Sequence, residues 1–293
     1  MPLNQTNRGI LYFLTAIGLI ALVDTVCKFY TEELHAVMLV WGYFIAITFF
    51  VAGYFGIRRK FDLLYCNQPG LQIARSGFLV ASITSLFVSL TYLPIAEVTA
   101  IGFTGPLFIT ALSVPLLRER AGRHRWLAVI IGLAGVLVIV RPGGAVWHWS
   151  AGMALLGGIC FALFQIVTRW LANQDRHQTT LLYTSIGGAV WASLIVPFFW
   201  TTPTTEHVGM LLAIGAMGAA AHSSMLQAFA RAEASLLAPF NYSKLIWVTI
   251  LGYLVFGAWP GLDTLIGSAI IVGTYMSYTA KDYDRWNRAD RLR

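Results

Sequence analysis

The sequence predicts an all-α integral membrane protein: ten transmembrane helices, as two inverted five-helix repeats around a central cavity. Three observations carry that prediction. Of 293 residues, 57% are hydrophobic and 11% charged, against about 25% charged in soluble domains. So little charge cannot cover a water-facing surface. Apolar stretches near the ~20 residues needed to cross a bilayer recur along the whole chain. The basic residues gather at the ends of those stretches, so a formal charge of +7 points to lipid headgroups and topology rather than to nucleic acid.

The first span, 9–30, is longer than a signal-peptide core and has no small-residue cleavage site, so it is read as a retained helix. The second, 36–57, ends at Arg58-Arg59-Lys60. Asn67-Gln68-Pro69-Gly70 punctuates the entry to the third, 70–92. The fourth, 95–117, carries Gly105-Pro106 and is expected to kink there. The fifth, 124–141, stops at Arg141-Pro142-Gly143-Gly144. In the second half the spans are 150–172, 178–200, 207–229, 235–257 and 262–281, with breaks at Thr201-Thr202-Pro203-Thr204 and Trp259-Pro260-Gly261. This divides the chain into a first repeat over 1–143, a second over 144–281 and a solvated tail over 282–293.

With both termini inside, all but three of the 20 Lys and Arg fall on the cytoplasmic side, the exceptions being Lys28, Arg141 and the mid-span Lys244. That bias fits the positive-inside rule and requires an even number of spans. The cytoplasmic set includes Arg75 and Arg169. Cys27, Cys66 and Cys160 match no metal or redox spacing, and no cofactor is expected.

The halves echo each other. Ala96-Glu97-Val98-Thr99 opens the fourth span as Ala232-Glu233-Ala234-Ser235 opens the ninth. Asp24 and Lys28 are spaced like Gln165 and Arg169, behind the matching frames Ala21-Leu22 and Ala162-Leu163. Five spans per half thread the membrane in opposite senses, the plan of many secondary transporters. Leu93-Pro94-Ile95-Ala96-Glu97-Val98-Thr99-Ala100, Gly105-Pro106, Leu117-Arg118-Glu119-Arg120, Ala238-Pro239-Phe240-Asn241-Tyr242 and Gly252-Tyr253-Leu254-Val255-Phe256-Gly257 with Pro260 resemble the drug/metabolite transporter superfamily, in its bacterial EamA-like branch. The resemblance spans nearly the whole chain. It implies two inverted five-helix repeats, alternating access and location in the bacterial inner membrane. Relatives carry amino acids, S-adenosylmethionine, cationic drugs, metallophores and nucleotide sugars. Two departures stand out. Gly257-Ala258 replaces a frequent Gly-Glu, and Trp41-Gly42-Tyr43 stands where many relatives have an arginine.

A mid-span cation is costly unless it faces protein or a wet cavity, which makes Lys244 the leading candidate for a substrate carboxylate. Asn241 and Tyr242 would add hydrogen bonds, with His222, Tyr92 and Gln227 completing the candidate binding set. The other reading of Lys244 is a structural ion pair. Asp24 and Lys28, one turn apart on one face, are read as an external charged lid or as a self-neutralised pair. Gln165 and Arg169 are their inner counterpart, although Arg169 alone would snorkel to headgroups. His222 could relay protons or serve as an interhelical contact. An interior more basic than acidic suits zwitterions or carboxylates. The expected function is therefore transport of amino acids or related solutes, outward, with proton coupling left open, by a monomer or weak homodimer. S-adenosylmethionine, a metallophore or a cationic drug is the alternative substrate. A membrane-embedded enzyme is the remaining class, and His222-Ser223-Ser224 supplies no triad for it.

Overall fold

The computed structural model describes residues 5–59, 61–117, 123–141, 148–171, 174–229, 231 and 238–274. These residues are helical, with no strand among them. Helices α1 (Gln5–Tyr30), α2 (Ala36–Ile57), α3 (Pro69–Tyr92), α4 (Ile95–Gly102), α5 (Gly105–Leu117), α6 (Arg123–Val140), α7 (Trp149–Leu171), α8 (His177–Ile195), α9 (Thr205–Phe229) and α10 (Ser243–Phe256) follow in order. A last helix, α11, covers Leu262–Thr274. Six of these helices are long and apolar enough to cross a membrane and four apolar stretches are shorter, among the described residues. The linker 118–122, the end 275–281 of the tenth span, the start of the ninth at 235–237, and the tail 282–293 lie outside them.

Punctuation follows local chemistry. Pro69 starts α3, where its missing N–H costs nothing. Leu93, extended at φ −119 and ψ 151, ends α3 just before Pro94. The fourth span is two helices rather than one kinked helix. Pro106 cannot donate to the Gly102 carbonyl, and Phe103-Thr104 forms a turn between α4 and α5. Thr104 Oγ1 closes that turn on the Ile101 carbonyl at 2.7 Å. The described part of the ninth span changes helix type. A 3₁₀ turn, Ala238–Tyr242, precedes α10, so the polar Asn241–Lys244 cluster lies where the helix restarts. At the far end of α10, Gly257 takes φ 64, its N–H donates to the Tyr253 carbonyl and Ala258 donates to Gly252. That pattern is a left-handed cap suited to glycine.

The packing partners are paired across the chain. Helix α1 packs on α9 and α3 on α7; α2 packs on α9 and α3 on α8; α2 and α8 pack on each other, as do α4 and α10. Exchanging each span with the one five later turns each of these pairs into another of them. Small residues let these helices approach closely. A Cβ added at Gly218 would stand 2.6 Å from Tyr43 and 2.8 Å from Ile47, and one at Gly135 would meet the Gly267 carbonyl at 3.0 Å. Phe44, Leu39, Met38, Ile214 and Val248 fill the core. The surface is apolar instead of charged, with Phe49, Phe198, Leu254 and Ile130 all well exposed. A lipid solvent explains that inversion.

Polar contacts gather at both ends of the bundle. At the end holding residues 31–35, His207 contacts Glu33 at 2.8 Å and Arg141 pairs with Asp263 at 3.0 Å. At the other, Arg176 pairs with Asp62 at 2.8 Å, and Asn67 N–H donates to Asp175 at 2.9 Å.

Candidate functional site

Within the bundle, Lys244 Nζ lies 2.7 Å from Asp24 Oδ2, joining α10 to α1. The side chains keep 20% and 16% of their surface open. Among the described residues, this contact is the tightest charged link between the first and second halves away from the two ends. Asp24 lies six residues before the end of α1, and Lys244 is the second residue of α10. Around them stand Tyr43 and Cys27, both close enough to feel the Asp24 charge, and Tyr242, whose ring meets Phe103 edge-on at 5.1 Å. Trp247, one turn beyond Lys244, lies along Gly18 of α1 with 43% of its surface exposed. An ion pair with aromatic walls can exchange its internal partner for the two ends of a zwitterion.

Lys28 does not partner Asp24. Its ammonium donates to the Leu90 carbonyl and, at 2.9 Å, to the Leu93 carbonyl. Sequence explains why. Leu90's helical partner would be the N–H of residue 94, which is proline and has none. The orphaned oxygens at the negative end of α3 therefore attract a cation. In this structure Lys28 and Asp24 therefore hold different partners instead of each other.

The other candidates divide. His222 on α9 lies within reach of the Arg75 charge. Asn241 is half-buried beside Tyr242 in the turn before α10. Gln165 is half-buried on α7, and the side chain of Arg169 lies outside the described residues. Tyr92, expected in the cavity, is 53% exposed and packs on His148 and Trp149, with ring centroids 5.1 and 5.0 Å away. Gln227 is exposed and accepts from Arg231, which also covers the Tyr12 ring at 5.0 Å. Neither reaches the Asp24–Lys244 pair.

Two buried charges escaped the sequence reading. Glu97, 5% exposed at the start of α4, accepts from Thr264 Oγ1 at 3.2 Å, while its Oε2 is buried without a hydrogen bond. The Ala-Glu repeat marked its position but not its burial. Arg75, assigned from sequence to the headgroup set, is 5% exposed among α3, α7 and α8. Its place inside the predicted span, six residues beyond Pro69, was the available signal.

An all-helical bundle with a lipid-like exterior and a charged pair between its halves is the architecture of a multi-pass membrane carrier. The chain belongs to the EamA-like transporter family, whose model matches it twice, over residues 7–141 and 148–279. It is 27% identical over 289 residues to an S-adenosylmethionine uptake transporter of Rickettsia conorii, covering 96% of this chain and 98% of that one. It is 30% identical over 273 residues to a riboflavin transporter of Vibrio cholerae, covering 90% of each. A solved crystal structure at 20% identity shares the fold with a TM-score of 0.63, over 96% of this chain and 97% of that one.

Proposed function

We propose that this chain is a secondary transporter working by alternating access. It sits in a bacterial inner membrane with both termini cytoplasmic, and its two halves are inverted repeats. The cross-paired packing and the two successive family matches support the repeat. The solute is one with an amino-acid headgroup on a flat heterocycle, and S-adenosylmethionine, moving inward, is the substrate to test. The single observation behind this reading is the Asp24–Lys244 pair at 2.7 Å. A bound zwitterion would set its carboxylate on Lys244 and its ammonium on Asp24, keeping both buried charges compensated throughout binding. Trp247 would lie against the heterocycle.

The earlier expectation of free amino acids moving outward keeps its headgroup here. The nucleoside and the direction come from the relatives named for S-adenosylmethionine uptake. Riboflavin is the second reading, favoured by the Vibrio relative and by the exposed indole of Trp247. Counterflow in proteoliposomes with labelled S-adenosylmethionine, riboflavin and methionine decides among them. Exchange of S-adenosylmethionine supports the proposal. Exchange of methionine alone returns the reading to free amino acids, and exchange of none of the three removes it.

A further inference from the structure

Among the described residues, Arg75 is a cation without a counter-ion. Its Nε donates to Thr168 Oγ1 at 2.6 Å, and its Nη1 to Thr184 Oγ1 at 2.7 Å and to the Thr180 carbonyl at 3.4 Å. The guanidinium carbon lies 4.6 Å from the Phe164 ring centroid. Every one of these partners is neutral. The near carboxylate, Asp175, accepts instead from the Asn67 N–H and from Gln72 Nε2. Nη2 donates to nothing among the described residues, which leaves one side of a planar fork suited to a carboxylate.

A strut could explain a buried arginine tying three helices together, and the other half of the molecule argues against that reading. Aligning the halves by their helix ends (Tyr30 with Leu171, Ala36 with His177, Pro69 with Thr205) sets Arg75 against Leu211, Thr168 against Cys27 and Thr184 against Tyr43. Those counterparts are 6%, 0% and 7% exposed and carry no charge of their own, although Cys27 and Tyr43 border Asp24. The same three-helix junction therefore packs with leucine where this half carries charge. A desolvated, unpaired charge that the packing does not need is a functional-site signal.

The two charged stations also lie toward opposite ends. Asp24 is six residues from one end of its helix and Arg75 six residues from the opposite end of the bundle, each about 9 Å in at 1.5 Å per residue. Building on the transport reading above, we infer that Arg75, held in place by Thr168 and Thr184, forms a second, inner station that receives the solute's carboxylate after it leaves Lys244.

The test uses the full chain in proteoliposomes, as wild type, R75L and R75K. Leucine is chosen because the opposite half tolerates it. Exchange is measured for S-adenosylmethionine and for its decarboxylated analogue. R75L should slow S-adenosylmethionine by about ten-fold or more, the worth of one charged hydrogen-bonded contact, and leave the analogue unchanged; R75K should restore part of the rate. Equal slowing of both solutes, or of neither, overturns the inference. If the wild type exchanges neither solute, the substrate assignment fails on its own. Acetate then serves as the probe: a rise in melting temperature in wild type and not in R75L upholds the anion site, and equal shifts in both overturn it.

Discussion

Removing one member of the Asp24–Lys244 pair leaves the other as an uncompensated charge inside the bilayer. At 2.7 Å and an effective dielectric near 20, the attraction is about 6 kcal/mol. Desolvation offsets part of it, and breaking such a pair from one side typically costs about 3–5 kcal/mol. The open fraction of both side chains, 20% and 16%, places this pair at about 3 kcal/mol, the lower edge of that range. Lys244→Met and Asp24→Asn should each destabilise the protein by that amount. The double variant D24N/K244M, neutral at both positions, should lose less than either single one. Equilibrium unfolding in mixed micelles gives the coupling as a double-mutant cycle, expected at about 3 kcal/mol or more. Additivity to within about 0.5 kcal/mol would refute the pair. Solute exchange by the double variant separates stability from transport. A folded D24N/K244M that still exchanged S-adenosylmethionine would refute the pair as the binding station.

Other expectations follow from individual contacts. Lys28→Met strands the Leu90 and Leu93 carbonyls and should cost about 1–3 kcal/mol in thermal unfolding, whereas Tyr92→Ala, at the surface, should leave exchange rates unchanged. Gly218→Ala drives a methyl into Tyr43 and Ile47 of α2 and should cost about 1–3 kcal/mol, read from the same unfolding curves. His35, between α1 and α2, accepts the Val37 N–H at 3.3 Å and stacks on Phe199 at 4.3 Å. Burial holds its imidazole below the ordinary value of 6.5. The neutral form is therefore favoured by folding, so its contribution is present above that value and is lost as pH falls through the lower folded value. Melting temperature measured downward from pH 7 should fall less in His35→Asn than in wild type.

Composition and the placement of arginines were sufficient to read an all-helical, multi-pass membrane chain, because hydrophobic length is a one-dimensional requirement of the bilayer. Lys244 and Asp24 were legible as candidates for the same reason: charge inside an apolar run is costly wherever it points. Their partnership was not. Asp24 has a lysine one turn away in sequence, and local spacing favoured that neighbour. The choice fell to Lys244 because Pro94 leaves Leu90 unbonded and draws Lys28 aside, and because α1 and α10 pack together. Arg75 shows the same division. Sequence placed it near a span end, where arginine ordinarily reaches headgroups. Which of α7, α8 or lipid would surround it depended on packing among helices distant in the chain. Tyr92 and Gln227 stand exposed for the same reason, because the aromatic or polar character of a residue does not state which face of its helix meets the interior. The sequence alone determined solvent, span positions and where charge had to be accommodated. Tertiary structure decided the pairing of those charges, since ion pairs across helices are set by distance in three dimensions.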